Sequence, residues 1–313
     1  MHGGTGNDTL WGASPLENYS YDDGYNGLYG DAGNDNLYGG NGIDRLEGGD
    51  GNDGLFGGDG WNNMYGQGGA DRFIHWSQQD YVGDKQKADA VLNFADSPAL
   101  FNVAPPTGWA NTQPYDFNPG TWTEDEIASA DVAFNNLENV IGKTTLLEMP
   151  DGTQYTFTRR GKQTSGDWDF KGQNDGLGHI TICEGYDARL DPDVLDWTLY
   201  HEIGHSWGTT AANAHWNAFL NIGGWVQNPK NTSNLIQGTD TDSSKAGNQN
   251  QWWYSYTARN MFARDYGRLS PAEDWATTWE TYFMDKYQHK FIEGDSKVLA
   301  KYNNLALLFA DLR

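Results

Sequence analysis

Large apolar residues recur at every ninth position through the first quarter of the chain, with mostly small or polar residues between them. From Gly30 to Ile74 the sequence divides into five nonapeptides, and three more, two of them degenerate, extend the same register back to Gly3. A repeat of this length predicts a solenoid in which each short strand points one apolar side chain into a coil. The position-eight residues that would fill the coil are Leu10, Tyr19, Leu28, Leu37, Leu46, Leu55, Met64 and Phe73.

A polar residue, most often aspartate, holds the sixth position of each nonapeptide, next to a glycine-rich turn. Paired glycines permit backbone angles that a β-carbon would forbid. The carboxylate and carbonyl oxygens of such a turn are the hard ligands that Ca²⁺ prefers. The position-six residues are Asp8, Glu17, Asn26, Asp35, Asp44, Asp53, Asn62 and Asp71.

These nonapeptides resemble the RTX calcium-binding repeats, in which two repeats form one coil of a parallel β-roll. The resemblance implies several structural Ca²⁺ ions, with the aspartates of two edges as ligands. One edge would hold Asp35, Asp53 and Asp71, and the other Asp8, Asn26, Asp44 and Asn62. A flexible, glycine-rich acidic linker is the alternative, but a linker does not require an apolar residue at every ninth position. Pro15 and Glu17 indicate a loop in the weak nonapeptides at 12–29.

The apolar pattern changes after the repeats. Alternation over 88–94 predicts a strand that completes the roll, and five prolines within 96–120 indicate a linker. A capping box at Thr123–Glu126 then precedes a helical stripe that ends at Ile141. Strand-like runs follow at 145–149, 154–159 and 178–183.

Asp191-Pro192 next predicts the start of a helix that continues to His201. The chain is therefore predicted to be multidomain. We expect an all-β parallel β-roll at 1–95, a linker at 96–120 and an α+β domain at 121–313.

The sequence His201-Glu202-Ile-Gly-His205 lies on this predicted helix. Residues four apart share a helix face, so His201 and His205 can direct nitrogens at one zinc ion. Glu202 lies beside that position, where a carboxylate can take a proton from water. Two surface histidines around a helical glutamate are the alternative explanation. The motif and its setting resemble the zincin metallopeptidases, which implies one catalytic Zn²⁺ and Glu202 as general base.

The residues that follow the motif leave more than one choice of third zinc ligand. Gly208 matches the metzincin pattern, but Ala211 stands where that family has its third histidine. Asp242, in Gly-Thr-Asp-Thr-Asp, formally matches the aspzincin pattern.

The segment from Tyr266 to Glu273 resembles the second signature of the gluzincin group that contains anthrax lethal factor and the Pro–Pro endopeptidases. That resemblance implies Glu273 as third zinc ligand and Tyr266 as a hydrogen-bond donor to the reacting carbonyl oxygen. Ser270-Pro-Ala-Glu273 is also a capping box, so a purely capping role for Glu273 is the alternative.

Composition and charge narrow the classes of partner. A net charge of −23 repels nucleic acid and anionic membranes, and no apolar run approaches the length of a membrane span. Cys183 is the single cysteine, so packing or metals must stabilise the fold. Met1-His2 leads straight into the repeat without a signal peptide, as expected for a piece of a longer protein.

The prediction is a secreted zinc metalloendopeptidase that acts on a protein or peptide substrate. The substrate is expected to lie along the strand at 178–183 as an added β-strand. A non-enzymatic, calcium-dependent adhesin or surface module with a vestigial zinc site is the competing class. Glu202 favours the enzyme, because a structural metal site needs no base beside it.

Overall fold

The computed structural model describes residues 1–12, 24–75, 80–95, 122, 124–160, 163–165, 168–183, 192–208, 213–238, 252–256, 262–288 and 296–313. The chain divides into two compact units. The N-terminal unit comprises 1–96, 122–124 and 137–158, and the C-terminal unit comprises 97–121, 125–136 and 159–313. The predicted linker at 96–120 lies outside the described residues.

Short parallel strands build the N-terminal unit. In chain order they are β1 (His2–Thr5), β2 (Thr9–Trp11), β3 (Gly27–Ala32), β4 (Asn36–Tyr38), β5 (Asn41–Gly42), β6 (Arg45–Asp50), β7 (Gly54–Phe56), β8 (Asp59–Gly60), β9 (Asn63–Gly68), β10 (Arg72–His75), β11 (Tyr81–Val82) and β12 (Ala90–Ala95). One sheet has the order β1-β3-β6-β9-β11, and a second contains β12-β10-β7-β4-β2. Apart from β5 and β8, which pair with each other, consecutive strands along the chain belong alternately to these two sheets, as in a parallel β-roll.

The position-eight side chains form the core of the roll, as the nine-residue pattern predicts. Leu46 of β6 lies opposite Met64 of β9, and Leu37 of β4 lies opposite Leu55 of β7. The core cluster is completely or almost completely buried and consists of Leu10, Leu28, Leu37, Leu46, Leu55, Met64, Phe73 and Val91. Burial of these side chains is the main apolar contribution to the stability of the roll.

The first coil is longer than the others, which corrects the predicted assignment of Asp8. Leu10 pairs with Leu37 and His2 with Tyr29, so this coil contains three nonapeptides where the later coils contain two. The additional length includes residues 13–23, which lie outside the described residues. Tyr19 and the predicted loop with Pro15 and Glu17 fall within this range. Asp8 therefore lies on the edge that holds Asp35, and not on the edge that holds Asp44.

The repeat also extends further than predicted. Asp80 and Val82, and then Asp89 and Val91, keep the sixth and eighth positions of the register beyond Ile74. Val91 belongs to the core cluster and Val82 packs against it. The strand predicted at 88–94 is confirmed as β12, but it does not complete the sheet, because β13 (Thr156–Arg160) pairs with it in parallel.

The helix predicted after the capping box is present as α1 (Glu124–Ile141), and its stripe is buried at Ala130, Phe134, Leu137 and Ile141. Gly142 ends it with a φ of 73°, the left-handed conformation that glycine adopts at a helix C-terminus. The strand predicted at 145–149 is wrong. Thr144–Leu147 forms a short 3₁₀ helix, which buries the adjacent Leu146 and Leu147 together, whereas a strand would point them to opposite faces.

The C-terminal unit is mixed α and β. Its strands are β14 (Gln163–Ser165), β15 (Trp168–Phe170), β16 (Gly172–Asn174), β17 (His179–Cys183), β18 (Val226–Gln227), β19 (Leu235–Gln237) and β20 (Trp252–Ser255). Its remaining helices among the described residues are α2 (Pro192–Gly208), α3 (Asn213–Gly223), α4 (Pro271–Gln288) and α5 (Ser296–Leu312). Among the described helices, none has the length and apolar character that crossing a membrane requires.

Candidate functional site

The position-six residues of the roll form two hydrogen-bonded ladders along its edges. In the first ladder the backbone N–H of one residue donates to the carboxylate of the next, from Asp8 through Asp35, Asp53 and Asp71 to Asp89. The second ladder runs through Asn26, Asp44, Asn62 and Asp80. Asp80 and Asp89 were missed in the sequence, although their nine-residue spacing from Asp71 was a usable signal.

The first ladder leaves four carboxylate oxygens for cations. Oδ1 of Asp35, Asp53 and Asp71 accepts a backbone N–H. The buried Oδ2 atoms of Asp8, Asp35, Asp53 and Asp71 have no hydrogen-bond donor within the described residues. A buried carboxylate oxygen without a partner is costly unless a cation binds it. Burial raises the pKa of Asp53 to about 6 and that of Asp71 to about 7. These oxygens fit Ca²⁺, which takes oxygen ligands.

Glycine at the first position of the nonapeptide makes room for these carboxylates. A β-carbon on Gly30 would lie 2.5 Å from Oδ2 of Asp35, and one on Gly48 would collide with Oδ2 of Asp53 in the same way. At these two positions glycine is thus required by the neighbouring carboxylate.

The HEIGH segment lies in the last two turns of α2, packed closely against α4. A β-carbon on Gly204 would lie 3.0 Å from the β-carbon of Trp279, so glycine allows the two helices to approach. The indole of Trp275 donates a hydrogen bond to the carbonyl oxygen of Gly204 at 3.1 Å. This packing places His201 and His205 of α2 opposite the first turn of α4.

His201, His205 and Glu273 converge as a group of possible metal ligands. Nε2 of His201 lies 3.1 Å from Oε2 of Glu273 and 3.1 Å from Nε2 of His205, and the remaining separation is 3.5 Å. Zinc bonds of about 2.0–2.1 Å in a tetrahedron separate ligand atoms by about 3.3 Å. The spacing and the donor set therefore fit tetrahedral zinc with one open position.

The electrostatics of this group follow from its burial. The side chains of His201 and Glu273 are 11% and 14% exposed. Burial alone would lower the pKa of His201, but hydrogen bonds to Glu273 and Glu280 outweigh it and raise the pKa to about 10. Burial likewise opposes ionisation of Glu273, and the two histidines more than compensate, so its pKa is lowered. The site thus strongly favours positive charge between these residues.

The main chain and the side chain of Glu273 have different partners. Ser270 is the N-cap of α4, and its Oγ accepts the N–H of Glu273 at 3.3 Å. Pro271 follows at the first helical position, as expected. The carboxylate of Glu273 points instead to the two histidines.

Glu202 is buried next to the strand β16. A β-carbon on Gly172 would lie 2.7 Å from Oε1 of Glu202, so the carboxylate lies directly against the backbone of this strand. Asn174 of β16 donates to the backbone oxygen of Glu202 at 2.6 Å and to Oγ of Ser206 at 2.8 Å. These contacts hold the helix turn that carries Glu202 against the strand.

Tyr266 lies on a short 3₁₀ helix, Asp265–Arg268, just before α4. Its ring centroid is 5.8 Å from that of His201, and 44% of the residue is exposed. The tyrosine thus lies beside the candidate metal ligands with access to solvent. Asp242 and Ala211, the other positions considered for the third ligand, lie outside the described residues.

Buried charges support α4 behind Glu273. The ammonium of Lys301 in α5 donates to both oxygens of Asp274 at 2.6 and 2.7 Å, and the indole of Trp225 donates to the same carboxylate. Burial raises the pKa of Asp274 and lowers that of Lys301. Lys301 was missed in the sequence. Its position on the buried stripe of α5 with Val298, Leu305 and Leu308 was the available signal.

Comparison with known proteins characterises the N-terminal unit. The family model described as RTX calcium-binding nonapeptide repeat (4 copies) matches residues 1–14, 22–46 and 38–73. The chain therefore carries RTX calcium-binding repeats at its N-terminus, folded as parallel β-sheet. These repeats support Ca²⁺ binding and are typical of secreted proteins. No curated protein and no solved structure matches the chain.

Proposed function

We propose that the C-terminal unit is a zinc-dependent metalloendopeptidase of the gluzincin type. The observation that carries this proposal is the convergence of His201, His205 and Glu273 beside a buried Glu202. Two imidazoles and one carboxylate form a ligand set typical of catalytic zinc, which keeps one position open for water or substrate.

Zinc held by His201, His205 and Glu273 would supply a Lewis acid and lower the pKa of a water molecule towards about 7. Glu202 then takes the proton of the attacking water and delivers it to the leaving amine. The hydroxyl of Tyr266 donates a hydrogen bond to the oxyanion that forms on the carbonyl of the cleaved bond.

The substrate is proposed to bind in an extended conformation along β16. The sequence indicated the strand at 178–183 as the edge, but β17 pairs antiparallel with β16, and β16 is the outermost of the described strands of this sheet. An added peptide strand on β16 would lie next to Glu202, because Gly172 of β16 contacts its carboxylate.

The roll is proposed to serve secretion of the chain. Its acidic edges repel one another without Ca²⁺, and calcium binding supplies free energy for folding. The roll would then fold where calcium is plentiful, outside the cell.

The general-base role is tested by Glu202→Gln in the full chain. This variant is expected to bind zinc normally and to lose peptide hydrolysis by about 10²- to 10⁴-fold, as for a general base. Hydrolysis of a fluorogenic peptide library and zinc content are measured together, with Glu148→Gln of the N-terminal unit as the control. An unchanged rate for Glu202→Gln would rule out this mechanism, and zinc binding without hydrolysis by the wild type would favour the adhesin.

A further inference from the structure

Two carboxylates of one helix contact the two ring nitrogens of His201. Glu273 approaches Nε2, and Oε2 of Glu280 lies 3.2 Å from Nδ1. The two glutamates are two turns apart on α4 and so share a face. An ionised carboxylate only accepts hydrogen bonds, so Nδ1 must donate its proton to Glu280. When a metal ion replaces the proton on Nε2, Nδ1 keeps its bond to Glu280 and the lone pair of Nε2 is directed to the position between His201, His205 and Glu273.

Arg264 holds the second oxygen of Glu280. Its guanidinium donates to Oε1 of Glu280, whose side chain is only 3% exposed, whereas Arg264 is 41% exposed. The guanidinium carbon also lies 5.3 Å from the ring centroid of Trp197, within the range of a cation–π contact. Trp197 precedes His201 by one turn of α2. Arg264 thus contacts both helices that carry the candidate metal ligands.

The geometry of Glu280 makes its orientation depend on Arg264. A carboxylate with a donor on each oxygen is held in one rotamer, whereas loss of one donor leaves a buried oxygen that favours rotation. Rotation of Glu280 would remove the acceptor from Nδ1 of His201 and free the imidazole to turn. An exposed arginine can therefore control the direction of a buried ligand.

We propose that Arg264 is a positioning residue, which acts through Glu280 to orient His201 for metal binding. This inference rests on the proposed metal site of the C-terminal unit. It assigns Arg264 and Glu280 to one chain of hydrogen bonds, so their contributions to metal affinity must not add.

The test compares zinc dissociation constants, measured by competition with a chromophoric chelator in the full chain. Glu280→Gln is expected to weaken zinc binding about 10- to 100-fold, as for partners behind a metal-bound histidine. Arg264→Met, which keeps the apolar contact with Trp197, is expected to weaken it about tenfold. Arg264→Lys should recover part of this loss, since an ammonium can still donate to Glu280. The double variant should bind zinc no more weakly than Glu280→Gln alone.

Arg159→Met is the matched control, because Arg159 bonds Glu126 at 2.9 Å in another ion pair of the same unit. It is expected to lower the unfolding temperature and leave zinc affinity unchanged. Unchanged zinc affinity in Arg264→Met, or additive losses in the double variant, would overturn the role of Arg264 while leaving the metal site intact. A wild-type chain that does not bind zinc would overturn the metal site and, with it, this inference.

Discussion

The contacts of Glu273 separate its two suggested roles. The carboxylate faces His201 and His205, whereas the N–H of the same residue donates to the hydroxyl of Ser270. The cap of α4 therefore depends on the side chain of Ser270, and metal binding depends on the side chain of Glu273. Each role can be removed by a substitution that leaves the other in place.

Glu273→Gln is expected to lose zinc and remain folded, because glutamine is a poor zinc ligand but a good helix former. Ser270→Ala is expected to keep zinc and to lose about 0.5–2 kcal/mol of unfolding free energy. Zinc content and denaturant unfolding of both variants check this prediction. Glu273→Gln with one zinc ion per chain and full activity would exclude Glu273, and Asp242 would become the ligand to test.

Gly172→Ala is expected to disturb the base without removing the metal. The new β-carbon would lie 2.7 Å from Oε1 of Glu202 and 2.5 Å from the γ-methyl of Thr198, so the glutamate must move. A displacement of about 1 Å in a catalytic group can lower kcat by about 100-fold. Zinc affinity and kcat are measured together, with Gly68→Ala as the control, since its β-carbon meets no atom nearer than 3.5 Å. An unchanged kcat would contradict the placement of Glu202.

At the level of elements, the ladders of the roll make its stability depend on pH. Burial raises the pKa of Asp53 to about 6 and that of Asp71 to about 7, from an ordinary 3.8. A raised carboxyl pKa means that the folded roll binds protons that the unfolded chain releases. The stabilisation of the folded roll by these bound protons is fully present below the ordinary pKa. It is lost as the pH rises through the folded pKa values.

The metal-free roll is therefore expected to lose stability as the pH rises from about 4 to about 7. Saturating Ca²⁺ should reverse the trend, because the ion competes with protons for the same oxygens. Unfolding followed by far-UV circular dichroism, with chelator and with calcium, checks both directions. A metal-free roll that becomes more stable over this pH range would contradict the ladder geometry.

Elements whose apolar residues recur at a regular spacing could be predicted from the sequence, whereas contacts between residues far apart in the chain could not. The position-eight core and the helix of His201 follow from spacing alone, and both are present. The three-nonapeptide coil at Asp8 was not predictable, because the additional residues preserve the nine-residue register and change only the edge of the roll on which Asp8 lies. Arg264 meets Glu280 of α4 and Trp197 of α2 only through the packing of these helices, for which the sequence carries no local signal.

At the level of the whole molecule, charge and metal binding are linked. The chain has 43 acidic and 20 basic residues, and many of the acids lie in the repeats. Self-repulsion of these acids opposes a compact roll, and calcium binding removes part of it. The C-terminal unit has its own apolar core, with Trp275, Trp279 and Phe283 buried, and does not use these aspartates.

Removal of calcium at about pH 7, where the metal-free roll is least stable, is therefore expected to unfold the roll and to leave most of the helices of the C-terminal unit intact. Circular dichroism in excess chelator should show loss of β signal with helix signal retained. Limited proteolysis should cut first within residues 3–74. A roll that keeps its β signal in excess chelator would contradict the calcium-dependent fold.

The proposal that His201, His205 and Glu273 hold one metal ion is tested most directly by an anomalous difference map at the zinc absorption edge, from a crystal of the full chain. The expected result is one peak within about 2.0–2.2 Å of Nε2 of both histidines and of a carboxylate oxygen of Glu273. The electron density of the same crystal should show Tyr266 and Glu202 beside the peak without bonding it. No peak at these residues in a zinc-loaded crystal, or a peak whose third protein ligand is a residue other than Glu273, would contradict the proposed site.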